Sequence, residues 1–294
     1  MRSMYQAKRV DLFTICNYTF LTLFCLLTVY PLFFVLIGSL NDGNDYMRGG
    51  VYFFPRDFSL ANYNVVLQDE RLYTGFKVSI GRTVLGTLTS VFFTAMVSYA
   101  MSRNNLIGRT PYYWVHLFTL FFGGGLIPYF LVLKSLALIN TFWVYIIPGL
   151  FSVFNMIILN AFFREIPEEI HESATVDGAG EFRIFLLLFI PLSAPVLATV
   201  ALWNAVHHWN SFFDAMIFTT KPHLMPLQLF LMKMIREADV ISNSQFVPPQ
   251  VQRQISVQTI RMAAIVVSTV PILLVYPFLQ RFFVTGFMVG SLKG

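Results

Sequence analysis

The stretch EIHESATVDGAGEFRIFLLLFIPLSAP, Glu169 to Pro195, sets a water-seeking segment directly against an oil-seeking one. Six of the fifteen acidic residues in the 294-residue chain (Glu165, Glu168, Glu169, Glu172, Asp177 and Glu181) fall within seventeen positions. An acid at the centre of a bilayer costs roughly 2.5–3.5 kcal/mol, so 164 to about 182 is forced into water or against a partner. The apolar run that follows lacks the alternation of a barrel strand, and in lipid only helices and closed barrels satisfy their own backbone polar groups. The run is therefore helical, and the fold class is all-α.

Outward from that stretch, the chain has the composition of a membrane protein: 56% hydrophobic and 12% charged, against about 25% charged for soluble domains. Its 32 phenylalanines and 13 tyrosines suit helices whose outer surfaces meet lipid. Counting runs of about 20 apolar residues gives six transmembrane helices, near 12–40, 80–101, 112–133, 142–163, 192–219 and 260–283. Residues 1–294 then form a single integral-membrane domain, with long connections at about 41–79, 164–191 and 220–259. Pro31, Pro148, Pro195, Pro271 and Pro277 predict kinks. The first apolar stretch is too long for a signal-peptide core and reads as a retained span. Cys16 and Cys25, both in that stretch, support neither a disulfide framework nor a metal site. The net charge of +5 is spread along the chain rather than clustered, which argues against nucleic-acid binding.

Six spans put both termini and the acidic segment on one side. Lys and Arg divide nine to eleven between the sides and do not choose between them, but the basic opening MRSMYQAKRV favours a cytoplasmic N-terminus. Within the acidic segment the local signals describe a short helix. Pro167 suits the first helical position, Glu168 and Glu169 complement the positive end of the helix dipole, and Gly178 can close the helix in a left-handed conformation. Ile170, Ser173, Ala174 and Asp177 share a face, with Glu168, Glu169 and Glu172 on another. So short a helix is marginal alone in water, so it persists by docking; an acidic loop lying over the membrane surface is the plainer alternative.

The order of residues goes further. ESATVDGAGEFRIFLLLFIPL closely resembles the cytoplasmic coupling loop of bacterial ABC importer permeases, in which Glu-Ala-Ala is followed after three residues by Gly and later by a Leu-Pro. Glu172, Ala174, Gly178 and Pro191 match, Asp177 and Ala179 fit a variant common in sugar permeases, Ser173 replaces an alanine, and Ile190 stands where leucine is usual. GGGLIPYFLVLKSLALINTFW, HWNSFFDAM, MPLQLFL and YPFLQRFFVTGFMVGSLKG extend the resemblance to carbohydrate permeases related to the smaller maltose-importer permease, most of all the complex-saccharide and oligouronate branch that includes the alginate importer. The resemblance implies the type I ABC importer permease fold, in a multi-pass chain of the bacterial inner membrane with both termini cytoplasmic. It implies no catalytic residue and no cofactor in this subunit, with ATP and Mg held by partners. Those partners are a second permease subunit, two ATP-binding subunits and an extracytoplasmic solute-binding protein. Glu169, Ile170, Glu172, Ser173, Ala174, Asp177, Gly178, Ala179 and Pro191 would couple to the ATPases, and the C-terminal tail would reach toward them unless it is simply a frayed end.

In the fifth expected span, Trp203, Asn204, His207, His208, Asn210, Ser211 and Asp214 fall within about 160° of a helical wheel. Polar groups at membrane depth face an interior or a water-filled cavity, and aromatic rings with amides and imidazoles can bind sugar, so this helix is the candidate substrate path for an oligosaccharide. Interhelical hydrogen bonding is the competing reading, whereas adjacent histidines point about 100° apart and chelate a metal poorly. The glycines in FFGGGLIPYF predict a broken helix or tight packing, and LMPLQLFLMKMI an amphipathic helix at the outer interface or against the binding protein. Arg82 and Arg261, near span ends, read as snorkelling side chains. The chain offers neither a phosphate-binding loop nor a hydrolase nucleophile motif. An ion-coupled secondary transporter or channel is the alternative, which the acidic docking segment disfavours.

Overall fold

The computed structural model describes residues 11–243 and 257–291, with side chains for 11–236 and 257–274. The basic opening stretch 1–10, the middle of the 220–259 connection at 244–256 and the last three residues of the tail lie outside the described residues. Among the described residues there is no strand, only an isolated antiparallel bridge between Asn41 and Phe58. The order is α1 (Leu12–Ser39), α2 (Gly43–Met47), α3 (Ala61–Leu67), α4 (Glu70–Ser102), α5 (Arg109–Phe121), α6 (Leu126–Ser135), two 3₁₀ turns over 142–149, and α7 (Val153–Phe163). There follow α8 (Glu168–Val176), α9 (Glu181–Ile184), a π-helical stretch (Phe185–Phe189), α10 (Ile190–Leu192), α11 (Ala194–Asn210), α12 (Phe213–Phe218), α13 (Leu227–Asn243) and α14 (Val257–Ser291).

Among the described residues three helices are long and apolar enough to cross a membrane, within α1, α4 and α14, or up to six if each of three bent pairs is one span. The pairs bend by 116° between α5 and α6, by 46° between the 3₁₀ turns and α7, and by 85° between 181–192 and α11. The first break falls on the glycine cluster. A Cβ added at Gly123 or Gly125 would meet nothing within 4 Å, so packing does not require those glycines; Gly125, at φ +83°, supplies the reversal. At the third, Pro191 and Pro195 each remove a backbone donor beside the π-helical stretch. By contrast α1 runs through Pro31, and α14 through Pro271 and Pro277, as single helices.

The chain groups into two compact units, Met1–Gln68 with Met234–Thr269, and Asp69–Lys233 with Val270–Gly294. In the first, Asn62 ties the end of α1 to α14: its Nδ2 donates to Ser39 O (3.0 Å) and Asn41 O (2.9 Å), and its Oδ1 accepts from Thr259 Oγ1 (2.8 Å). Asn41 and Arg56 flank Asp45, and their hydrogen bonds hold its carboxyl below the usual carboxylate range. The long connection after α1 is therefore folded, which its hydrophilic composition did not announce. Arg261 Nη2 donates to Ile235 O at 3.1 Å, so hydrogen bonding rather than snorkelling accounts for that side chain.

In the second unit α4 is the axis, lying along α7 and α11. Its buried stripe runs Gly75, Ser79, Arg82, Gly86, Ser90, Thr94, Ser98, at the three- and four-residue spacing that keeps side chains on one helix face. In lipid, where apolar contact alone gives little preference between helices, small residues permit close approach and hydroxyls supply the glue. Ser79 Oγ accepts from Leu227 N (2.9 Å), Ser90 Oγ donates to Asn204 Oδ1 (3.3 Å), Thr94 Oγ1 accepts from Ser152 N (3.3 Å), and Asn160 Nδ2 donates to Ser98 O (3.1 Å). Leu227 backbone passes 3.0 Å from where a Gly75 Cβ would stand, and Leu227, Leu229, Phe230 and Leu231 are buried. The start of α13 is thus docked onto the first turns of α4, a packing that the expectation of an interfacial amphipathic helix did not include.

Candidate functional site

Two regions of the second unit carry the candidate residues. The first is α8. Pro167 stands just before it, at the N-cap rather than the first helical position, and Glu168 and Glu169 occupy the first turn. Gly178 closes the helix at φ +81°: its N–H donates to Thr175 O (3.0 Å), and Ala179 N–H donates to Ala174 O (2.9 Å). This double closure is the Schellman arrangement, and its small apolar pair, Ala174 and Ala179, packs with Ile166 onto a buried cluster containing Tyr99, Phe163, Phe185 and Phe189.

The expected coupling residues therefore divide. Ala174 and Ala179 point inward and seat the helix; Ile170 is half-buried; Glu169, Glu172, Ser173 and Asp177 are exposed. Pro191 is exposed too, but on α10, as part of the bend and not of α8. The close-approach face read from the wheel is thus split, because Ala174 is spent on the chain's own core. Val176, which the sequence reading did not single out, is 87% exposed at the tip of α8. A latch holds the helix: His171 Nε2 lies 3.2 Å from both carboxylate oxygens of Glu181, and the Tyr99 hydroxyl of α4 donates to the same carboxylate. His171, Glu181 and Tyr99 were missed; the acidic crowding marked Glu181, but nothing local tied it to a tyrosine 82 residues away.

The second region is a cavity of about 680 Å³, within the 300–1,000 Å³ range of ligand sites. Six of the seven expected path residues line it: Trp203, Asn204, His207, His208, Ser211 and Asp214. Asn210 does not; its Nδ2 donates back to Val206 O at 2.9 Å. The route to this arrangement differs from the one expected. The fifth span ends at Asn210, Ser211 is extended (φ −73°, ψ 131°), and α12 starts afresh, so Ser211 and Asp214 do not share the wheel of Trp203. The chain break brings them back to the cavity, with Ser211 Oγ donating to Asp214 Oδ1 at 3.1 Å.

Arg82 of α4 completes this wall. It is 1% exposed, paired through both terminal nitrogens with Asp214, bonded to Ser211 O at 3.2 Å, and stacked 4.5 Å over the Tyr145 ring. A charge so enclosed is held by its partners, so the snorkelling reading is corrected. His208 is buried against Gly86, where any Cβ would collide with its imidazole, while Asn204 bonds Ser90. Asn204 therefore also serves as hydrogen-bonding glue to α4, whereas His208 meets α4 by packing. Trp203 and His207 stay exposed, and Tyr129, Phe151 and Phe213 add aromatic surface. Tyr129 belongs to α6, so the glycine break also turns a helix toward the cavity.

Comparison with known proteins agrees with this architecture. Residues 3–288 match the family described as binding-protein-dependent transport system inner membrane component. The chain is 37% identical over 288 residues to the polygalacturonan/rhamnogalacturonan transport system permease protein YtcP of Bacillus subtilis, covering 96% of this chain and 99% of that one. It is 36% identical over 299 residues to protein LplC of the same organism, covering 100% and 99%. Among solved structures, a bacterial ABC transporter involved in import of the acidic polysaccharide alginate superimposes with TM-score 0.86 at 31% identity, over 96% of this chain and 100% of that one. The resemblance expected from the acidic segment and its flanking spans is borne out: the chain belongs to the family of binding-protein-dependent transport system inner membrane components, the permeases of ABC importers.

Proposed function

We propose that this permease lines the import path of an acidic oligosaccharide and that α8 carries the stroke of partner ATPases to the cavity. One observation carries the mechanical half. The latch on α8 and the floor of the cavity attach to the same helix, through Tyr99 and Arg82 of α4. At about 1.5 Å per residue these points lie roughly 25 Å apart on one rigid rod. Displacement of α8 therefore reaches Asp214 and the α12 segment without passing through a flexible loop. The exposed Glu169, Glu172, Ser173, Val176 and Asp177 would meet the ATPase.

The substrate half rests on the cavity's chemistry and on the relatives' substrates. Trp203 and the neighbouring aromatic rings offer faces for sugar rings, and His207, Ser152 and Asn155 offer groups for hydroxyls and carboxylates. The polygalacturonan/rhamnogalacturonan permease and the alginate importer both handle acidic polymers. In this reading the chain sits in a bacterial inner membrane with α8 and both termini in the cytoplasm. It pairs with a second permease, two ATP-binding subunits that hold ATP and Mg, and an extracytoplasmic solute-binding protein, and it carries no cofactor itself.

The test is uptake by proteoliposomes containing the chain co-purified with its permease and ATP-binding partners, with binding protein outside. ATP-dependent accumulation of oligogalacturonates in preference to neutral oligosaccharides of equal length is expected. Uptake driven by an ion gradient without ATP would overturn the mechanism; preference for the neutral sugars would overturn the substrate class alone.

A further inference from the structure

A second polar cavity, of about 720 Å³, lies between the end of α4 with the first turn of α5 and the end of α7, and shares no lining residue with the cavity at Asp214. Arg109 and Arg164 open into it together with Asn104, Thr110, Tyr113 and Asn160, and no carboxylate lines it. The donors are largely unspent. Arg109 gives one terminal nitrogen to Asn104 Oδ1 at 2.9 Å, and Asn160 Nδ2 is committed to Ser98 O. The Arg164 guanidinium has no hydrogen-bond or ion-pair partner among the described residues. The Glu168 carboxylate accepts from Asn104 at 3.4 Å from outside the lining.

Two guanidiniums facing one uncompensated space fit an oxyanion with several acceptor oxygens, because the planar fork of arginine matches phosphate geometry. The surroundings indicate which phosphate. The cavity stands where α4 ends at Ser102, α5 begins at Arg109 and α7 ends at Phe163, at the mouths of three spans. Ile107 (93% exposed), Tyr112 (54%) and Trp114 (66%) project from the same segment. Amphipathic rings of this kind sit at headgroup level, and basic pockets between spans hold lipid headgroups.

We propose that this cavity binds the phosphate headgroup of an anionic membrane lipid, gripped between Arg109 and Arg164. A headgroup there bridges the start of α5 to Arg164, the residue from which the chain turns toward α8, so the lipid steadies the base of the docking helix. The assignment does not depend on which sugar is imported.

The test is binding of phosphatidylglycerol in mixed micelles to the purified transporter complex, with phosphatidylcholine and inorganic phosphate as parallel probes. Phosphatidylglycerol binds the unaltered protein more tightly than phosphatidylcholine does. Arg109→Gln and Arg164→Gln each weaken that binding about fivefold, equivalent to about 1 kcal/mol for a basic residue near an anionic surface. The double variant loses more than either, and Lys134→Gln on α6 changes nothing. Circular dichroism and assembly with the partners report whether each variant folds. Equal binding of the two lipids, full affinity in the folded double variant, or saturation by inorganic phosphate in place of lipid would each overturn the proposal.

Discussion

The docking helix and the cavity wall solve opposite problems on the same rod. α8 is bare at its tip around Gly178 and Val176, and is held by a cap, two alanines and one carboxylate latch. The cavity wall is held by an ion pair whose arginine is buried, a histidine fitted against a glycine, and hydroxyls bonded across α4. In the proposed mechanism, a part that engages a partner and releases it keeps its own attachments few and its outer face bare. A part that must receive the motion is clamped wherever it touches the rod.

If that contrast is right, damage at the wall should cost the chain its stability, and damage at α8 should cost it coupling. The largest loss is expected from Asp214→Ala, which strands the buried Arg82 charge at about 3 kcal/mol; Arg82→Ala leaves the quarter-exposed Asp214 carboxylate and should cost less. The double replacement Arg82→Met with Asp214→Leu should recover much of it, as read by thermal melting of the complex. Equal damage in singles and double would mean that the pair does not act as a unit. Next comes Gly86→Val, which must push His208 aside at about 1–3 kcal/mol for overpacking; His208→Ala in the same chain should relieve it. Gly178→Val should cost about 1–2 kcal/mol through backbone strain alone, because no atom lies within 4 Å of the new Cβ. Its signature is ATP hydrolysis that no longer drives uptake, with Gly178→Asn milder. The smallest effect belongs to Glu181→Gln, which weakens the latch to Tyr99 and His171 by about 0.5–1.5 kcal/mol. It should leave the melting temperature nearly unmoved and make α8 easier to cleave by protease; unchanged cleavage would mean that the latch does not hold the helix.

The same contrast governs what the sequence could disclose. The start and end of α8 are local matters, and Glu168, Glu169 and Gly178 announced them within eleven residues. Span composition is local too, and so was the break at the glycine cluster. The direction in which Ala174 points is not local, since it depends on a cluster assembled from α4, α7, the stretch 184–189 and α11. Nor is the pairing of Arg82 with Asp214, 132 positions apart, which a position near a span end disguised as snorkelling. The polar side chains of α11 were gathered correctly for an incomplete reason: the wheel holds only to Asn210, and a chain break does the rest. The small-residue stripe of α4 was visible as Gly75, Ser79, Gly86 and Ser90 at helical spacing, a signal for a seam that reading by hydropathy alone passes over.

The interruptions at 123–125, 151–152 and 211–212 all lie beside residues that line the Asp214 cavity. Peptide groups outside a helical ladder survive in a bilayer only where water or protein supplies their missing partners. At 151–152 and 211–212 the protein supplies partners, since the Ser152 N–H donates to Thr94 Oγ1 and the Ser211 N–H to His207 O, whereas Gly123 and Gly125 stand open. In heavy water the amides of Gly123 and Gly125 should take up deuterium early, while the unbroken interior of α4 stays protonated, so that isotopes alone locate the open break.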